Sequence, residues 1–299
     1  DGSLVPPDDA SSQDVFRSGI NGTSLEARDA GEYDMVVVGA GVAGMSAAVA
    51  AARLGLRVAL IGDRPVAGGN NSSEVRVHMG GRLGVGPYPK LGQLQQEFAP
   101  RREGNAQPAA YYEDQKKMQW LQQEHGVSLF MGVHADGVTM DGTRIASITA
   151  RNVLSGERLR FKAPLYADCT GDATIGYLAG ADWRMGRESR SEYGESRAPE
   201  RADSMTMGAS VQWYAVESKS RERFPLFEYG VVLNDSTAER VLKGEWTWET
   251  GMNRNQITEA ERIRDYGLMV VYSNWSYLKN RVPERRDYAN YRLGWVAYV

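Results

Sequence analysis

Short apolar runs separated by glycines dominate the chain between residues 35 and 62. Met35–Val38 is entirely apolar, as is typical of a strand buried on both faces of a parallel sheet. The alanine-rich stretch Gly44–Leu54 predicts a helix, and Arg57–Ile61 predicts a second strand. Met35–Ile61 is also long enough to cross a bilayer, but its glycines and arginines favour two short elements. The pattern therefore predicts a strand–helix–strand unit.

The pattern after this unit continues to alternate between helix and strand. Pro108–His125 predicts a helix that Gly126 closes, with Glu113 placed to pair with Lys117 one turn on. Val127–Val133 predicts a third strand. The turn signals Asp141-Gly142 and Ser155-Gly156 predict a β-meander, and Pro164–Cys169 predicts one further apolar strand.

The pattern of residue types along the chain changes near residue 181. Beyond it, aromatic strand-like stretches such as MGASVQWYAV and GLMVVYSNW replace the earlier alternation. Residues 1–30 are polar and rich in Ser, Asp and Gly, which predicts a flexible lead or an arm that lies on the surface. We therefore predict a lead over 1–30, a nucleotide-binding domain over 31–180, and a mixed α/β substrate or cap region over 181–299.

Composition excludes several classes of protein. The 299 residues carry a net charge of −3, so a nucleic-acid partner is not expected. Cys169 is the only cysteine, which excludes an internal disulfide, a redox dithiol and a cysteine-rich zinc site. No apolar core of a signal peptide is present, and the chain opens on Asp1, so a soluble protein is expected in a compartment left open between cytoplasmic and exported.

Gly39, Gly41 and Gly44 fit the spacing G-x-G-x-x-G, directly between the first predicted strand and its helix. The first glycine permits a tight turn, the second lets backbone approach a pyrophosphate, and the third lets helix and strand pack closely. The helix N-terminus offers unpaired N–H groups to the phosphates. A tight turn without a ligand is the alternative. An acid is expected at the end of the next strand to hold a ribose, but Gly62 occupies that position and Asp63 follows it.

Two longer segments, DRPVAGGNNSSEVRVHMGG and ADCTGDATIGYLAGADWRMGRES, carry a family resemblance. Together with the glycine motif they resemble a bacterial family of FAD-dependent oxidoreductases with the glutathione-reductase-like fold, distantly similar to succinate dehydrogenase and fumarate reductase flavoproteins. The resemblance covers about Tyr33 to Gly186. It implies an α/β fold: a Rossmann-like FAD-binding domain with a β-meander, plus a mixed α/β substrate region.

The expected cofactor is FAD rather than NAD. No second G-x-G-x-x-G follows a strand, and no cysteine pair is available to relay electrons. The resemblance implies that the polar loop after the second strand runs along the ribityl chain, and that the TGD segment returns to the cofactor. The alternatives are a solvated turn and a turn that caps the next helix. The expected cofactor-binding residues are Gly39, Gly41, Gly44, Asp63, Arg64, Gly68, Gly69, Asn70, Ser72, Ser73, Gly171 and Asp172.

The stretch EVRVHM alternates polar and apolar residues and predicts a strand with one polar row. That row holds Arg76 and His78, which we take as the catalytic candidates. Arg76, or Arg82 nearby, would stabilise a reduced flavin or grip an anionic substrate. His78 would take a proton from a substrate hydroxyl. A solvated sheet face is the alternative, with Glu249 and Tyr272 then the next candidates for the base.

The sequence thus predicts a flavoprotein oxidoreductase that transfers hydride between FAD and a small organic substrate, by family association a carbohydrate or polyol alcohol. A nucleotide-binding module without catalysis and a flavin monooxygenase are the alternatives. No cluster with metal-ligand spacing is present. The oligomeric state is left open. Because nothing in DYANYRLGWVAYV resembles the last strand and helix that close over FAD, we expect that segment to lie outside the 299 residues.

Overall fold

A computed structural model describes residues 10–102, 104–245 and 248–298. Seven helices are assigned in the described residues: α1 Ala10–Asn21, α2 Val42–Arg53, α3 Gln93–Phe98, α4 Asp114–Gln122, α5 Thr174–Leu178, α6 Arg190–Tyr193 and α7 Ala260–Asn280. The strands are β1 Arg28–Glu32, β2 Met35–Val38, β3 Val58–Gly62, β4 Val127–Met131, β5 Val133–Asp141, β6 Arg144–Asn152, β7 Arg158–Lys162, β8 Leu165–Asp168, β9 Ala209–Ser210, β10 Trp213–Glu217, β11 Lys243–Gly244, β12 Glu249–Thr250 and β13 Tyr291–Val296. None of the helices in these ranges is long and apolar enough to span a membrane.

The chain divides into two compact units. The first comprises the described residues up to Ser72 together with Met79–Arg101 and Glu113–Trp183. The second comprises Ser73–His78, Arg102–Tyr112 and the residues from Arg184 onward. The sequence pattern placed a single boundary near residue 181 and did not indicate that these two short segments fold with the later part of the chain.

The first unit is built on a parallel sheet in the order β4-β3-β2-β8. Its central strand β2 is buried, and β3 is buried along its whole length, as the unbroken apolar runs predicted. Helix α2 packs through Met45, Ala48 and Val49 in the same apolar cluster as Val37 and Leu60. The small alanine side chains let the helix lie close to the sheet, so the predicted strand–helix–strand unit is confirmed.

The predicted β-meander is also confirmed. Strands β5, β6 and β7 pair antiparallel in sequence order, and the two connecting turns use Gly142 and Gly156 with positive φ. Strand β1 adds to the outer edge of the meander, parallel to β7. Ile148, Phe161 and Val36 belong to one buried cluster, so the meander packs against the parallel sheet.

Two element predictions in the first unit need correction. Of the two alternatives for residues 1–30, a flexible lead does not fit the described part, because Ala10–Asn21 form α1 and Arg28–Glu32 form β1, which pairs with β7. The earliest residues lie outside the described ranges. The helix predicted over Pro108–His125 is shorter, because Glu113 has a positive φ of 46° that separates a short 3-10 turn from α4. The predicted pair of Glu113 with Lys117 is replaced by a 4.0 Å approach of Asp114 to Lys117.

The second unit packs the long helix α7 against the antiparallel sheet β11-β10-β13. Trp213 of β10 and Trp275 of α7 are both buried, with ring centroids 5.8 Å apart. Asn274, fully buried on α7, donates to the carbonyl of Glu239 and accepts from its N–H, which holds an irregular segment against the helix. Paired polar groups of this kind satisfy a buried backbone that belongs to no sheet.

Arg76 ties the two short segments of the second unit to its sheet. Its guanidinium donates to the carbonyls of Ser73 and Gln107 and to the hydroxyl of Tyr214, at 2.7, 3.2 and 3.0 Å. The same group lies 4.1 Å from the ring centroid of Trp295, a cation–π distance. Arg76 is only 7% exposed, and the four groups that contact its guanidinium all belong to its own unit.

Replacing Arg76 is expected to destabilise the second unit. Arg76→Met keeps much of the apolar stem but leaves two carbonyls and a hydroxyl without their donor, and we expect a loss of about 2–4 kcal/mol in the free energy of unfolding. Urea unfolding followed by tryptophan fluorescence measures it. The exposed Arg286 is the matched control, and an Arg76→Met effect no larger than that of Arg286→Met would contradict the prediction.

Candidate cofactor site

The carboxyl ends of the parallel strands bring three predicted segments to one edge of the first unit. Gly39 follows β2, Asp63 follows β3, and Thr170 lies two residues after β8. The N–H of Gly39 donates to the carbonyl of Ile61 at 2.8 Å, and the N–H of Cys169 donates to the carbonyl of Val38 at 2.7 Å. This edge is where ligands bind in open α/β sheets.

Gly39 and Gly44 are required by close backbone packing. Gly39 has a φ of 103°, and a β-carbon there would overlap the carbonyl of Cys169. A β-carbon on Gly44 would overlap the carbonyl of Gly39. At Gly41, in contrast, the nearest atom to such a carbon is Cα of Gly69, at 3.9 Å. The space beside Gly41 is therefore not filled by protein packing, as expected where a ligand approaches the backbone.

The N-terminus of α2 fits an anionic group. Gly41 is its N-cap, no side chain caps the helix, and no acidic residue lies in its first turn. The first N–H groups of any α-helix have no partner within the helix, and the helix dipole adds partial positive charge there. A pyrophosphate is the group that these features bind in other nucleotide sites.

The Gly68–Gly69 turn lies directly against the glycine motif. Gly68 forms a parallel bridge with Gly41, and its N–H donates to the carbonyl of Ala40 at 2.9 Å. Both glycines have positive φ, and a β-carbon on Gly69 would lie 3.0 Å from Cα of Gly41. The two glycine-rich segments thus form one continuous backbone surface.

The shifted position of the acid has a steric cause. A β-carbon on Gly62 would lie 2.7 Å from Cβ of Ala40 and 3.2 Å from Cε of Met131, so no acid fits at the end of β3. Asp63, the next residue, is about half exposed and lies 3.8 Å from Nδ1 of His134. The interaction with His134 lowers the pKa of Asp63, and the same interaction raises the pKa of His134. Asp63 is therefore a carboxylate that can accept from a ribose hydroxyl.

The TGD segment is shaped by Asp168, which sequence reasoning missed. Its carboxylate accepts from the N–H and hydroxyl of Thr170 and from the N–H of Gly176, so it fixes the turn after β8. Gly171 has a φ of 96°, and nothing lies within 4 Å of a β-carbon placed on it. Partial burial, and then the charge of Asp168, raises the pKa of Asp172. Gly171 offers a second open approach to the backbone at this edge.

The other predicted cofactor residues lie directly after Asp63 and in the turn after Gly69. Arg64 follows Asp63, and its carbonyl accepts from the N–H of Gly132. Asn70 is exposed and Ser72 is fully buried, at either end of the turn after Gly69. Ser73 belongs to the second unit and not to the first. All of the predicted cofactor residues except Ser73 therefore belong to the first unit.

The strand predicted for EVRVHM does not form. Arg76 has a positive φ of 63°, which breaks the alternation, and residues 76–80 have no regular secondary structure. Arg76 and His78 consequently do not share one face of a strand: Arg76 is buried and His78 is exposed. Because the guanidinium of Arg76 is enclosed, the role predicted for it in gripping an anionic substrate has no support in this geometry.

His78 has a defined ring orientation. Oδ1 of Asn105 accepts from the backbone N–H of His78 at 3.0 Å and lies 2.8 Å from Nδ1 of the ring. The backbone donor identifies that Asn105 atom as oxygen, so Nδ1 carries the hydrogen. In the neutral ring Nε2 then holds the lone pair and can accept a proton.

Lys117 is a further residue that sequence reasoning missed, and no signal in the pattern marked it. It is fully buried on α4, and burial lowers the pKa of its ammonium to about 8. A β-carbon on Gly68 would lie 3.0 Å from Cδ of Lys117, so its stem packs against the glycine-rich turn. Within the described ranges no three His, Cys, Asp or Glu side chains converge as a metal site.

A nucleotide-binding α/β protein is the class that this edge defines. A sequence model of the family described as FAD dependent oxidoreductase matches residues 34–296, and the chain belongs to that family. The cofactor of that family is FAD. The open backbone beside Gly41 and the uncapped α2 fit its cofactor. No curated protein matches the chain significantly.

Three solved structures match part of this chain. Mycobacterium smegmatis Sdh1 is 19% identical, with 48% of this chain and 35% of that chain covered and a TM-score of 0.34. FrdA of E. coli quinol fumarate reductase is 14% identical, with 65% of this chain and 40% of that chain covered and a TM-score of 0.37. THI4 of Thermovibrio ammonificans is 21% identical, with 57% of this chain and 76% of that chain covered and a TM-score of 0.37. The chain spans only about a third of the length of Sdh1.

Closing the open space beside Gly41 is expected to abolish FAD retention. Gly41→Val places a branched side chain where the backbone would face the cofactor. The parallel sheet of the first unit is expected to form as in the wild type. Flavin content per folded protein, measured by absorbance after gel filtration and with circular dichroism to confirm folding, is the test. Gly19→Val in α1, where a β-carbon meets nothing within 4 Å, is the control. A folded Gly41→Val protein with full flavin content would rule the site out.

Asp63→Ala is expected to weaken FAD binding only modestly. Loss of one hydrogen bond to a ribose corresponds to about 0.5–1.5 kcal/mol. Equilibrium titration of the apoprotein with FAD measures the change, with the exposed Asp182→Ala as control. A loss of several kcal/mol would show that Asp63 fully replaces the acid of other nucleotide sites, and no loss would show that the ribose is held elsewhere.

Proposed function

We propose that this protein is an FAD-dependent dehydrogenase that oxidises a small organic alcohol. The bound flavin supplies the hydride acceptor, as cofactors supply the difficult chemistry in such enzymes. The family match supports an FAD-dependent oxidoreductase, and the further step to an alcohol rests on the residue available to take the proton. A carbohydrate or polyol is the substrate class, supported by the family resemblance of the sequence.

The glycine-rich edge of the first unit would hold and orient the cofactor. The N–H groups at the start of α2 bind the pyrophosphate, and Gly41 keeps the space for it open. Asp63 accepts from a ribose hydroxyl as an ionised carboxylate. The Gly68–Gly69 turn and Gly171 supply the two other open lengths of backbone at this edge.

His78 is the observation that carries the proposal. An alcohol that gives up hydride must also lose its hydroxyl proton, so the enzyme needs a base. The double contact of Asn105 with the N–H and Nδ1 of His78 leaves Nε2 as the proton acceptor. His78 is exposed, so a substrate can reach that nitrogen.

Two other functions give different results in the same preparation. A nucleotide-binding module without catalysis would hold FAD that no alcohol reduces under anaerobic conditions. A flavin monooxygenase would consume oxygen and insert an oxygen atom into its product. Anaerobic bleaching of the flavin against a panel of sugars and polyols, followed by product analysis with and without oxygen, distinguishes the three.

His78→Asn is expected to retain FAD but to slow reduction of the flavin by roughly 10²–10⁴-fold, the usual contribution of a positioned base. Stopped-flow absorbance with a substrate from the panel measures the rate. The matched control is His125→Asn, which alters an exposed histidine of the first unit.

An unchanged rate in a folded, flavin-loaded His78→Asn protein would remove His78 from the chemistry. The base would then be sought at Glu249 or Tyr272 of the second unit. Tyr272 is partly exposed and stacks on Phe224, and Glu249 lies on the short strand β12.

A further inference from the structure

The two short segments that fold with the second unit lie against each other. They are Ser73–His78 and Arg102–Tyr112. The N–H of Ala106 in the later segment donates to the carbonyl of Arg76 in the earlier one at 2.9 Å. As a result, the turn of residues 104–107 lies beside the end of the earlier segment, where the proposed base is.

Tyr112 anchors that turn on both sides of residue 105. It is buried, and its hydroxyl oxygen lies 2.7 Å from the carbonyl oxygens of both Arg76 and Gly104. The same hydroxyl accepts from the N–H of Gln107 at 3.2 Å. Because the hydroxyl meets groups before and after Asn105, it holds both ends of the turn against the earlier segment.

The backbone next to Asn105 has an unusual conformation. Ala106 has a positive φ of 47°, a left-handed conformation that residues with a β-carbon adopt only when the surrounding contacts impose it. One such contact is the side-chain amide of Gln107, which donates to the carbonyl of Asn105 at 3.3 Å. The turn is therefore fixed by its contacts rather than by local preference, and such conformations are concentrated at functional sites.

One oxygen of Asn105 makes two contacts with His78. Oδ1 accepts from the backbone N–H at 3.0 Å and lies 2.8 Å from Nδ1 of the ring. The two contacts fix the imidazole relative to its own backbone. They also select a tautomer, because with the hydrogen on Nε2 the lone pairs of Nδ1 and Oδ1 would face each other and repel.

We propose that Asn105 is the positioning residue of the base in alcohol oxidation. By holding His78 with its hydrogen on Nδ1, it keeps the lone pair of the exposed Nε2 side available to a substrate hydroxyl. The hydroxyl proton passes to Nε2 while the carbon-bound hydrogen leaves with its electron pair to the flavin, so the alcohol becomes a carbonyl compound. This inference rests on the proposed function of His78 as the base.

The absence of charge on the Asn105 side chain gives a second way to test its role. In the described residues of the two segments the other charged side chains are Glu74, Arg76 and Arg102. Asn105→Asp keeps an acceptor for both donors of His78 and adds one negative charge beside the ring. A carboxylate there favours the protonated ring, so a base in contact with it works only at higher pH.

Nuclear magnetic resonance of protein with isotope-labelled histidine, as purified and without substrate, measures the tautomer independently of catalysis. The chain has three histidines, and the signals lost in His78→Asn identify those of His78. At a pH where the ring is neutral, the ring nitrogen shifts of the wild type are expected to show the hydrogen on Nδ1. Free histidine in water favours the other tautomer, so Asn105→Ala is expected to move His78 towards it. The matched control is Asn290→Ala, an exposed asparagine of the same unit, which is expected to match the wild type.

Stopped-flow measurements of flavin reduction test the role in turnover. Asn105→Ala is expected to retain FAD and to reduce it roughly 10–10²-fold more slowly, because a misplaced catalytic group can lose about that much rate. Added to His78→Asn, the same change is expected to have no further effect, since the two residues act as one unit. Asn105→Asp is expected to restore the tautomer and most of the rate, with the half-maximal rate at a higher pH than in the wild type.

These variants separate a failure of this proposal from a failure of the base. Wild-type tautomer and rate in folded Asn105→Ala would overturn the role of Asn105 and leave His78 as the base. A wild-type rate in folded, flavin-loaded His78→Asn would remove the base itself, and the role of Asn105 fails with it. Should Asn105→Ala not fold, Asn105→Asp decides: a pH profile moved upward supports the positioning contact, and an unchanged profile overturns it.

Discussion

Close approach of backbone to backbone at the glycine motif is the constraint on which the rest of the first unit depends. Gly39 lies against the carbonyl of Cys169, Gly44 lies against Gly39, and Gly69 lies against Gly41. A single methyl group at Gly39 or Gly44 would overlap a carbonyl. These contacts join the ends of β2 and β8, the start of α2 and the turn after β3, so the same glycines that hold the sheet edge together leave backbone N–H groups facing outward for a nucleotide.

Among the residues that the structure describes, Arg76 and Lys117 are the buried cations, one in each unit, and their surroundings differ. Arg76 in the second unit has three hydrogen-bond acceptors and an aromatic face, so its charge is satisfied by protein groups alone. Lys117 in the first unit is fully buried on α4 with Asp114 at 4.0 Å from its Nζ, and burial lowers the pKa of its ammonium to about 8. A guanidinium with fixed planar donors suits permanent enclosure, whereas an ammonium changes its protonation readily when its surroundings change.

Errors in the sequence predictions occurred where local pattern and tertiary packing disagree. EVRVHM alternates as a strand does, yet Arg76 adopts a positive φ because its guanidinium is drawn into an aromatic site whose members lie far along the chain. The helix predicted from Pro108 is interrupted at Glu113, beyond which the chain belongs to a different unit. In both cases long-range packing outweighed a preference of a few residues, as is common for weak local propensities.

The sequence by itself determined the strand–helix–strand unit, the meander and the glycine motif, because apolar periodicity and glycine spacing act over short stretches of chain. The choice of FAD came from the family resemblance of two longer segments, and the family match agrees with it. The sequence also showed Gly62 where an acid is usual and Asp63 directly after it. The structure adds the reason, because Ala40 and Met131 fill the space at Gly62. Tertiary structure alone decided that Arg76 is enclosed, that Asn105 fixes the ring of His78, and that Lys117 lies behind Gly68. These contacts join residues tens of positions apart, and no local pattern encodes which distant side chain will meet a buried charge.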